Sequence, residues 1–473
     1  MDQNKKTSFA TARNIGSGVA AATAAHPLSP TTEGVAVANG PLNGMKIAHL
    51  GTYPPRKCGI ATYTQDVVSA VHTNTLAAPP SVIAMTAPDE DPQKTGYGWP
   101  VAHLIAQDSP EQYIAAAKAV KRAGIDLVNV QYEHGIFGGA GGNYLNYFLD
   151  ELSGSVPVVV TTHTVLPQPE AVYAKALKEV ADRATRLIVL NSRALPLLES
   201  AYGIRTENVA VIPHGTPNVE RSRRKLVRER FAVGGQTVLS TFGLISPGKG
   251  LEHAIAAVAA NAQKYPSLHY FILGATHPGI VRHSGESYRE GLMKQAADAG
   301  IADRVHFVNQ YLALDEVTDW LLATDLYITP YLNPNQITSG TLAYAVAAGK
   351  PVLSTPYLHA QEILDNGRGV LTPFNDPGAM AENLDAMLSN KTWLAEMEAS
   401  AWEFGRHSVW SEVAKRYGEV FADATGRTGR SAIAAHTPSA IAAALDAAMR
   451  DEDALLAGRS VTGKPLLASV ARQ

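Results

Sequence analysis

One pattern constrains this chain more than any other. Short apolar runs, each ending on a small or polar residue and followed by a helical stretch, occur in one series, stop, and then begin again. The first series comprises MKIAHLG (Met45–Gly51), LVNVQY (127–132), PVVVTTH (157–163), RLIVLNS (186–192) and NVAVIPHG (208–215). Helical stretches such as PEQYIAAAKAVKRAG and AVYAKALKEVADRA separate them. The second series comprises TVLSTFG (237–243), LHYFILG (268–274), RVHFVNQ (304–310), DLYITPY (325–331) and PVLSTPY (351–357). Near-continuous apolar strands alternating with amphipathic helices predict parallel sheets with crossover helices. The restart predicts an α/β chain of two doubly wound, Rossmann-like domains facing each other across a cleft. Ligands of such sheets bind outside the carboxyl ends of the strands.

Length and charge narrow the class. At roughly 150 residues per domain, 473 residues suggest about three domains, and the repeated pattern reduces that to two with flanking segments. Residues 1–43, rich in Ala, Thr, Ser, Gly and Pro, read as a mobile leader. The stretch 426–473 reads as a flexible tail in which SAIAAALDAAMRDEDALLA has the composition of one Ala-rich helix. The segment 216–230, ending in RSRRKLVRER, divides the two series, and its charge run reads as the solvated face of a helix. With 40 basic against 43 acidic residues, nothing marks a nucleic-acid partner. The single cysteine excludes an internal disulfide framework and any Cys-based zinc cage. The absence of a signal-like start or a bilayer-length apolar run leads us to expect a cytoplasmic location.

The loops after the strands carry the candidate chemistry. In GTYPPRKCGIATYTQDVV (51–68), Gly59 permits close backbone approach at a helix start, where free N–H groups favour an anion or a sugar hydroxyl, and Arg56 and Lys57 add charge. The alternative is an ordinary strand-to-helix turn, with Cys58 a small loop residue rather than a reactive thiol. In QYEHGIFGGAGGNYL (131–145), five glycines in eight positions follow Glu133 and His134. Glu133 suits a developing positive centre and His134 an anionic leaving group, although a histidine beside a glycine loop is as often structural; His163, at the end of TTH, stands on the same footing.

In TFGLISPGKGLEHAI (241–255), a strand, the turn at Gly243 and then Lys249 at a helix start place an ammonium beside free N–H groups. That combination suits phosphate, though the spacing is not that of a P-loop, and an exposed capping lysine is the alternative. LGATHPG (273–279) is a further strand-end loop, with Gly274 at its start. In NPNQITSGTLAYAVAAGKPVLSTPY (333–357), Thr338, Ser339, Gly340 and Thr341 open a short helix, so hydroxyls and N–H groups converge; an N-capped core helix is the alternative.

Together the PPRKCGIATYT loop, VIPHG, FGLISPGKG and the GTLAYAVAAGKPV block resemble glycosyltransferase family 4, retaining enzymes of the GT-B architecture, over Met45–Asp423. The likeness is strongest to bacterial mannosyltransferase-like members. The resemblance implies transfer of a hexose, with mannose favoured, from a nucleotide diphosphate sugar to a hydroxyl of a glycan or lipid-linked acceptor. A lipid carrier would bring the chain to the inner face of a membrane as a peripheral protein. No cofactor and no metal is implied. An acceptor domain would occupy 44–216, a donor domain 217–408, and a helix returning to the first domain 409–425.

By the same resemblance, Gly59 lies near donor phosphate and acceptor, Lys249 binds phosphate, and His163 is the nearest match to the family's catalytic histidine. Gly243, Gly274 and residues 338–341 would line the donor site. Arg56, Tyr63 and His163 would meet the acceptor. Where the family carries an Arg five positions ahead of that lysine, this chain has Leu244. Where it carries two glutamates eight residues apart, the chain has Gln336, still able to hydrogen-bond a sugar, and Tyr344, able to make one bond or stack at the ribose. These departures keep two alternatives open: a sugar-phosphate-using transferase or phosphorylase, and a weakly catalytic scaffolding subunit of a glycan-assembly complex.

Overall fold

The computed structural model describes residues 42–427; the Ala-rich tail helix and residues 1–41 of the expected leader lie outside them, while Leu42, the leader's penultimate residue, is buried in the core. The first sheet has seven parallel strands: β1 (Ile47–Gly51), β2 (Ser81–Thr86), β3 (Val101–Ala106), β4 (Leu127–Tyr132), β5 (Val158–Thr162), β6 (Arg186–Val189) and β7 (Val209–Val211), ordered β3-β2-β1-β4-β5-β6-β7. The second has six: β8 (Thr237–Phe242), β9 (Leu268–Leu273), β10 (Val305–Val308), β11 (Leu326–Thr329), β12 (Val352–Ser354) and β13 (Gly369–Leu371), ordered β10-β9-β8-β11-β12-β13. Every described pairing between these strands is parallel. In both sheets the order of the strands reverses beside the first strand, between β1 and β4 and between β8 and β11. The loops that follow these four strands are therefore the ones a ligand meets.

Three strands escape the sequence pattern. β2 follows a Pro-Pro pair, β3 is an edge strand with half-exposed residues, and β13 has only three residues. β3 and β13 lack a buried run, whereas β2 has five of its six residues buried.

In β4 all six residues are buried, because helices cover both faces. Val128, Val130 and Tyr132 join one apolar cluster, and Leu127 joins another on the opposite face with Tyr63, Val67 and Tyr417. Asn129 and Gln131 share the face of Leu127, so two amides lie fully inside the domain.

The chain crosses between the domains twice, side by side. Thr216 bridges Val409, its N–H donating to the Ser408 carbonyl at 2.8 Å while Trp410 N–H donates to the Thr216 carbonyl at 2.9 Å. The helix Trp410–Ala424 then packs on the first domain. Its Tyr417 hydroxyl meets Tyr63 at 3.1 Å and Thr161 at 3.0 Å, and Arg186 pairs with Asp423 at 2.6 Å.

The basic run 221–230 keeps its expected solvated face, with Arg221, Arg223, Lys225 and Arg230 exposed, and its arginines also pair with acidic residues. Arg223 and Arg230 both reach the buried carboxylate of Asp319, and Arg224 and Arg228 both reach Asp325. Arg228 also donates to the carbonyls of Val233 and Gln236 at 3.0 and 2.7 Å. Four guanidinium groups thus tie this segment to the helix Leu314–Ala323 and to the start of β11, because the forked donor geometry suits several acceptors at once.

Candidate functional site

A cleft of about 840 Å³ opens between the carboxyl ends of the two sheets, lined from both domains. On the first domain the loop after β1 enters the helix Gly59–Asn74. Cys58 caps that helix, its Sγ accepting from Ala61 N–H at 3.3 Å, so the thiol serves the backbone. Gly59 begins the helix at the cleft wall, and a Cβ built there would meet no protein atom within 4 Å. Packing within the chain therefore does not demand glycine at 59. Arg56 lines the same wall, and its Nη1 is buried without a partner.

Glu133 faces the cleft beside β5, its Oε2 accepting from the Thr164 hydroxyl at 2.6 Å and its Oε1 from His134 N–H at 3.2 Å. The His134 side chain points elsewhere. Its Nδ1 lies 3.1 Å from the Gly141 carbonyl and 3.0 Å from the Tyr132 hydroxyl, with the ring against Tyr173, and it does not line the cleft. The expected contact with a leaving group is not what its geometry provides; it braces the glycine loop. The glycines are explained the same way. A Cβ at Gly138 would sit 2.0 Å from the Gln107 carbonyl oxygen and one at Gly142 2.9 Å from that of His134. Close packing requires small residues at 138, 139, 141 and 142, whereas a Cβ at Gly135 would meet no protein atom within 4 Å.

His163 is nine-tenths buried at the end of β5 and lines the cleft. Nε2 donates to Gln131 Oε1 at 2.9 Å, and the ring stands edge-on to Tyr63 at 4.7 Å. Burial, with His214 nearby, pushes its pKa down to about 3, so the imidazole is neutral throughout the physiological range. Tyr63 also lines the cleft, but its hydroxyl is spent on Tyr417.

On the second domain, Gly243 and Gly274 end the adjacent strands β8 and β9. A Cβ at Gly274 (φ +148°) would lie 2.2 Å from the Gly243 carbonyl oxygen, so these two line the cleft as a tight backbone contact. Lys249 follows on the turn Pro247–Lys249, its Nζ 3.8 Å from the centre of the Tyr331 ring, and among the described residues no carboxylate pairs with it. An ammonium held only by an aromatic face stays available to an anion.

The helix Gly340–Ala347 opens on the same cleft through Thr338, Gly340 and Thr341. Ser339 turns inward as its N-cap, accepting from Leu342 N–H at 3.3 Å while its own N–H donates to His359 Nδ1 at 2.8 Å. Gln336 also stays out of the cleft wall, its amide donating to the Thr338 carbonyl at 3.1 Å to shape the turn. Tyr344 does line the cleft. Its hydroxyl donates to Asp66 Oδ2 at 3.2 Å rather than standing free.

Among the lining residues outside the expected set are Asp66 and His214. Asp66 is reached from Gly59 and Tyr63 by steps of seven and three, so the three share one face of a helix, and a carboxylate on the face of a candidate site residue is a readable signal. His214 is the histidine of VIPHG. Its Nδ1 bonds the Gly215 carbonyl at 2.8 Å, and a Cβ at Gly340 would sit 2.8 Å from its Nε2. Glycine at 340 is thus demanded by a residue of the other series. Burial pushes the His214 pKa down to about 4.

Residues 59–217 match the family described as Glycosyltransferase Family 4, and residues 236–390 match Glycosyl transferases group 1. A D-inositol 3-phosphate glycosyltransferase of Thermobispora bispora is 28% identical over 298 residues, 58% of this chain and 67% of that protein. A GDP-mannose-dependent alpha-(1-6)-phosphatidylinositol monomannoside mannosyltransferase of Mycolicibacterium smegmatis is 25% identical over 377 residues, 75% of this chain and 91% of that protein. The chain spans 55–67% of the length of the first inositol-phosphate relatives it matches. Among solved structures, Anabaena Alr3699/HepE in complex with UDP superposes with a TM-score of 0.63 at 18% identity, covering 80% of this chain and 100% of that one. The two-sheet arrangement is the GT-B fold. Among the described residues no helix is long and apolar enough to cross a membrane.

Proposed function

Since the chain belongs to the family 4 and group 1 glycosyltransferases, we propose that it moves a hexose, with mannose favoured, from a nucleoside diphosphate sugar to a hydroxyl of a saccharide or lipid-linked acceptor, with retention at the anomeric carbon. The observation that carries this reading is the approach of Lys249 and the start of the Gly340 helix to one cleft wall, opposite Gly59. Backbone N–H groups at a helix start and an unpaired ammonium together suit a pyrophosphate. The GDP-mannose-dependent relative, matched over three quarters of this chain, favours mannose.

In this reading the donor C1–O bond breaks and its electron pair stays on the departing diphosphate. Lys249 and the helix N–H groups disperse that charge. The acceptor oxygen bonds C1 on the same face and gives its proton to a departing phosphate oxygen. Glu133 and neutral His163 flank the sugar, the first offering charge to an oxocarbenium-like transition state and the second a hydrogen bond. The reading calls on no cofactor and no metal. It also places the protein in the cytoplasm, at the membrane face when the acceptor is lipid-borne.

A donor screen across GDP-, UDP- and ADP-sugars, with thermal stabilisation by GDP, UDP, ADP and inorganic phosphate measured alongside, tests the proposal. Stabilisation by a nucleoside diphosphate with transfer from its sugar is expected. Stabilisation by none of the nucleotides overturns it. A second reading, use of a sugar phosphate, draws on Tyr344 bonding Asp66 and Gln336 folding onto Thr338; stabilisation by inorganic phosphate alone would favour it.

A further inference from the structure

Behind His163 a line of buried polar side chains runs through the first domain. His163 Nε2 donates to Gln131 Oε1 at 2.9 Å, and Gln131 Nε2 donates to Asn129 Oδ1 at 3.4 Å. Asn129 Nδ2 then donates to His49 Nδ1 at 3.1 Å, and His49 Nε2 lies 3.1 Å from His72 Nε2. An amide has a distinct donor and acceptor end, so the line has a direction. Asn129 makes His49 Nδ1 an acceptor, so the neutral His49 ring carries its proton on Nε2 and gives it to His72. Read the other way, Gln131 has its NH₂ turned to Asn129 and only its carbonyl left for His163.

These groups stand where apolar residues would be expected. Gln131, Asn129 and His49 are fully buried in the central strands β4 and β1, beside Leu127 and Ile47, and a buried amide costs free energy unless bonded. Burial also holds His49 and His72 below the ordinary histidine range, so neither is a charged terminus. The line starts at the one member that faces the cleft.

We propose that Gln131, braced by Asn129 and His49, positions His163 for the transfer by holding it protonated at Nε2, so that Nδ1 presents a bare acceptor to a hydroxyl of the bound sugar. This use of the ring rests on the transferase reading above; the direction of the line does not. The titratable groups packed around His163 are Tyr63 on the Gly59 helix, His214 beyond β7, Glu133 through Thr164, and Tyr417, whose hydroxyl meets Tyr63. None of their contacts occupies Nδ1.

The test uses full-length protein labelled with ¹⁵N-histidine. The wild type should show His163 protonated at Nε2 and unprotonated at Nδ1, with no titration between pH 5 and 8. Gln131→Met should mix the tautomers and lower kcat by about tenfold to a hundredfold, the range lost when a partner orienting a metal-bound histidine is removed. Gln131→Glu should retain the Nε2 proton and bring the His163 titration into that pH range. Asn129→Leu, outside the cleft, should loosen the same tautomer if Gln131→Met fails to fold. A wild-type His163 protonated at Nδ1, or a folded Gln131→Met with unchanged tautomer and kcat, overturns the proposal. Absence of transfer in the wild type with the expected tautomer would instead count against the transferase reading.

Discussion

The Tyr344 hydroxyl donates to Asp66 Oδ2 at 3.2 Å, joining residues 278 positions apart from opposite walls of the cleft. Asp66 is largely removed from water, and desolvation pushes its pKa up from 3.8 to about 7, only partly countered by the Tyr344 bond. Between those pH values the native state holds a proton that the unfolded chain has lost. Stability therefore falls as pH rises from about 4 to about 7, and the penalty is complete above that range.

Asp66→Asn, which cannot ionise, should gain on the wild type between pH 5 and pH 8 by about 2–3 kcal/mol, since about two of the three pH units of separation lie above pH 5. Urea unfolding at the two pH values measures it, and an equal difference at both would refute the assignment. Tyr344→Phe should raise the Asp66 titration further and cost about 1 kcal/mol.

Lys249→Ala should leave the melting temperature within a degree or two, since the ammonium rests only on the Tyr331 ring, a contact of about 0.5–1 kcal/mol. Affinity for the nucleoside diphosphate should fall by about tenfold to a hundredfold, the effect of losing one charge-assisted hydrogen bond. Titration calorimetry with GDP and UDP reads this directly, and unchanged affinity would remove Lys249 from the site.

Two glycines should respond in opposite ways. Gly59→Ala meets open space and should fold normally while losing transfer. Gly274→Ala would force a methyl group to 2.2 Å from a carbonyl oxygen at φ +148°, and should destabilise by about 3 kcal/mol or more. Melting temperature and activity measured together separate the two cases.

Lys350 is fully buried with its Nζ donating to the Thr324 carbonyl at 2.9 Å, and burial pushes its pKa down from 10.5 to about 7. Here the unfolded chain holds the extra proton, so stability rises with pH between about 7 and 10.5. Lys350→Met should be more stable than the wild type near pH 6, by about 2 kcal/mol or more after the lost hydrogen bond, and the gain should vanish near pH 10.5. A gain independent of pH would show that the buried charge is not its source.

Much of this site is legible along the chain. The loops holding Gly59, Lys249 and Thr338–Thr341 announce themselves because each follows a buried strand and opens a helix. Asp66 was available from its helical spacing and His214 from VIPHG, yet neither stands out without the opposite wall. His134 and Gln336 read as cleft residues because they flank the right loops, whereas the direction of a side chain depends on neighbours such as Gly141 and Thr338.

Local pattern alone determines the two parallel-sheet units and the strand ends that carry polar chemistry, since strand and helix periods and turn residues act over a few positions. Only the tertiary structure decides which polar residues share a site. Asp66 meets Tyr344, Gly340 makes room for His214, and Gln131 turns its carbonyl to His163, each through strand pairing or domain contact between distant segments. A hydrogen bond needs its two atoms about 3 Å apart, and no local rule brings residues tens or hundreds of positions apart to that distance.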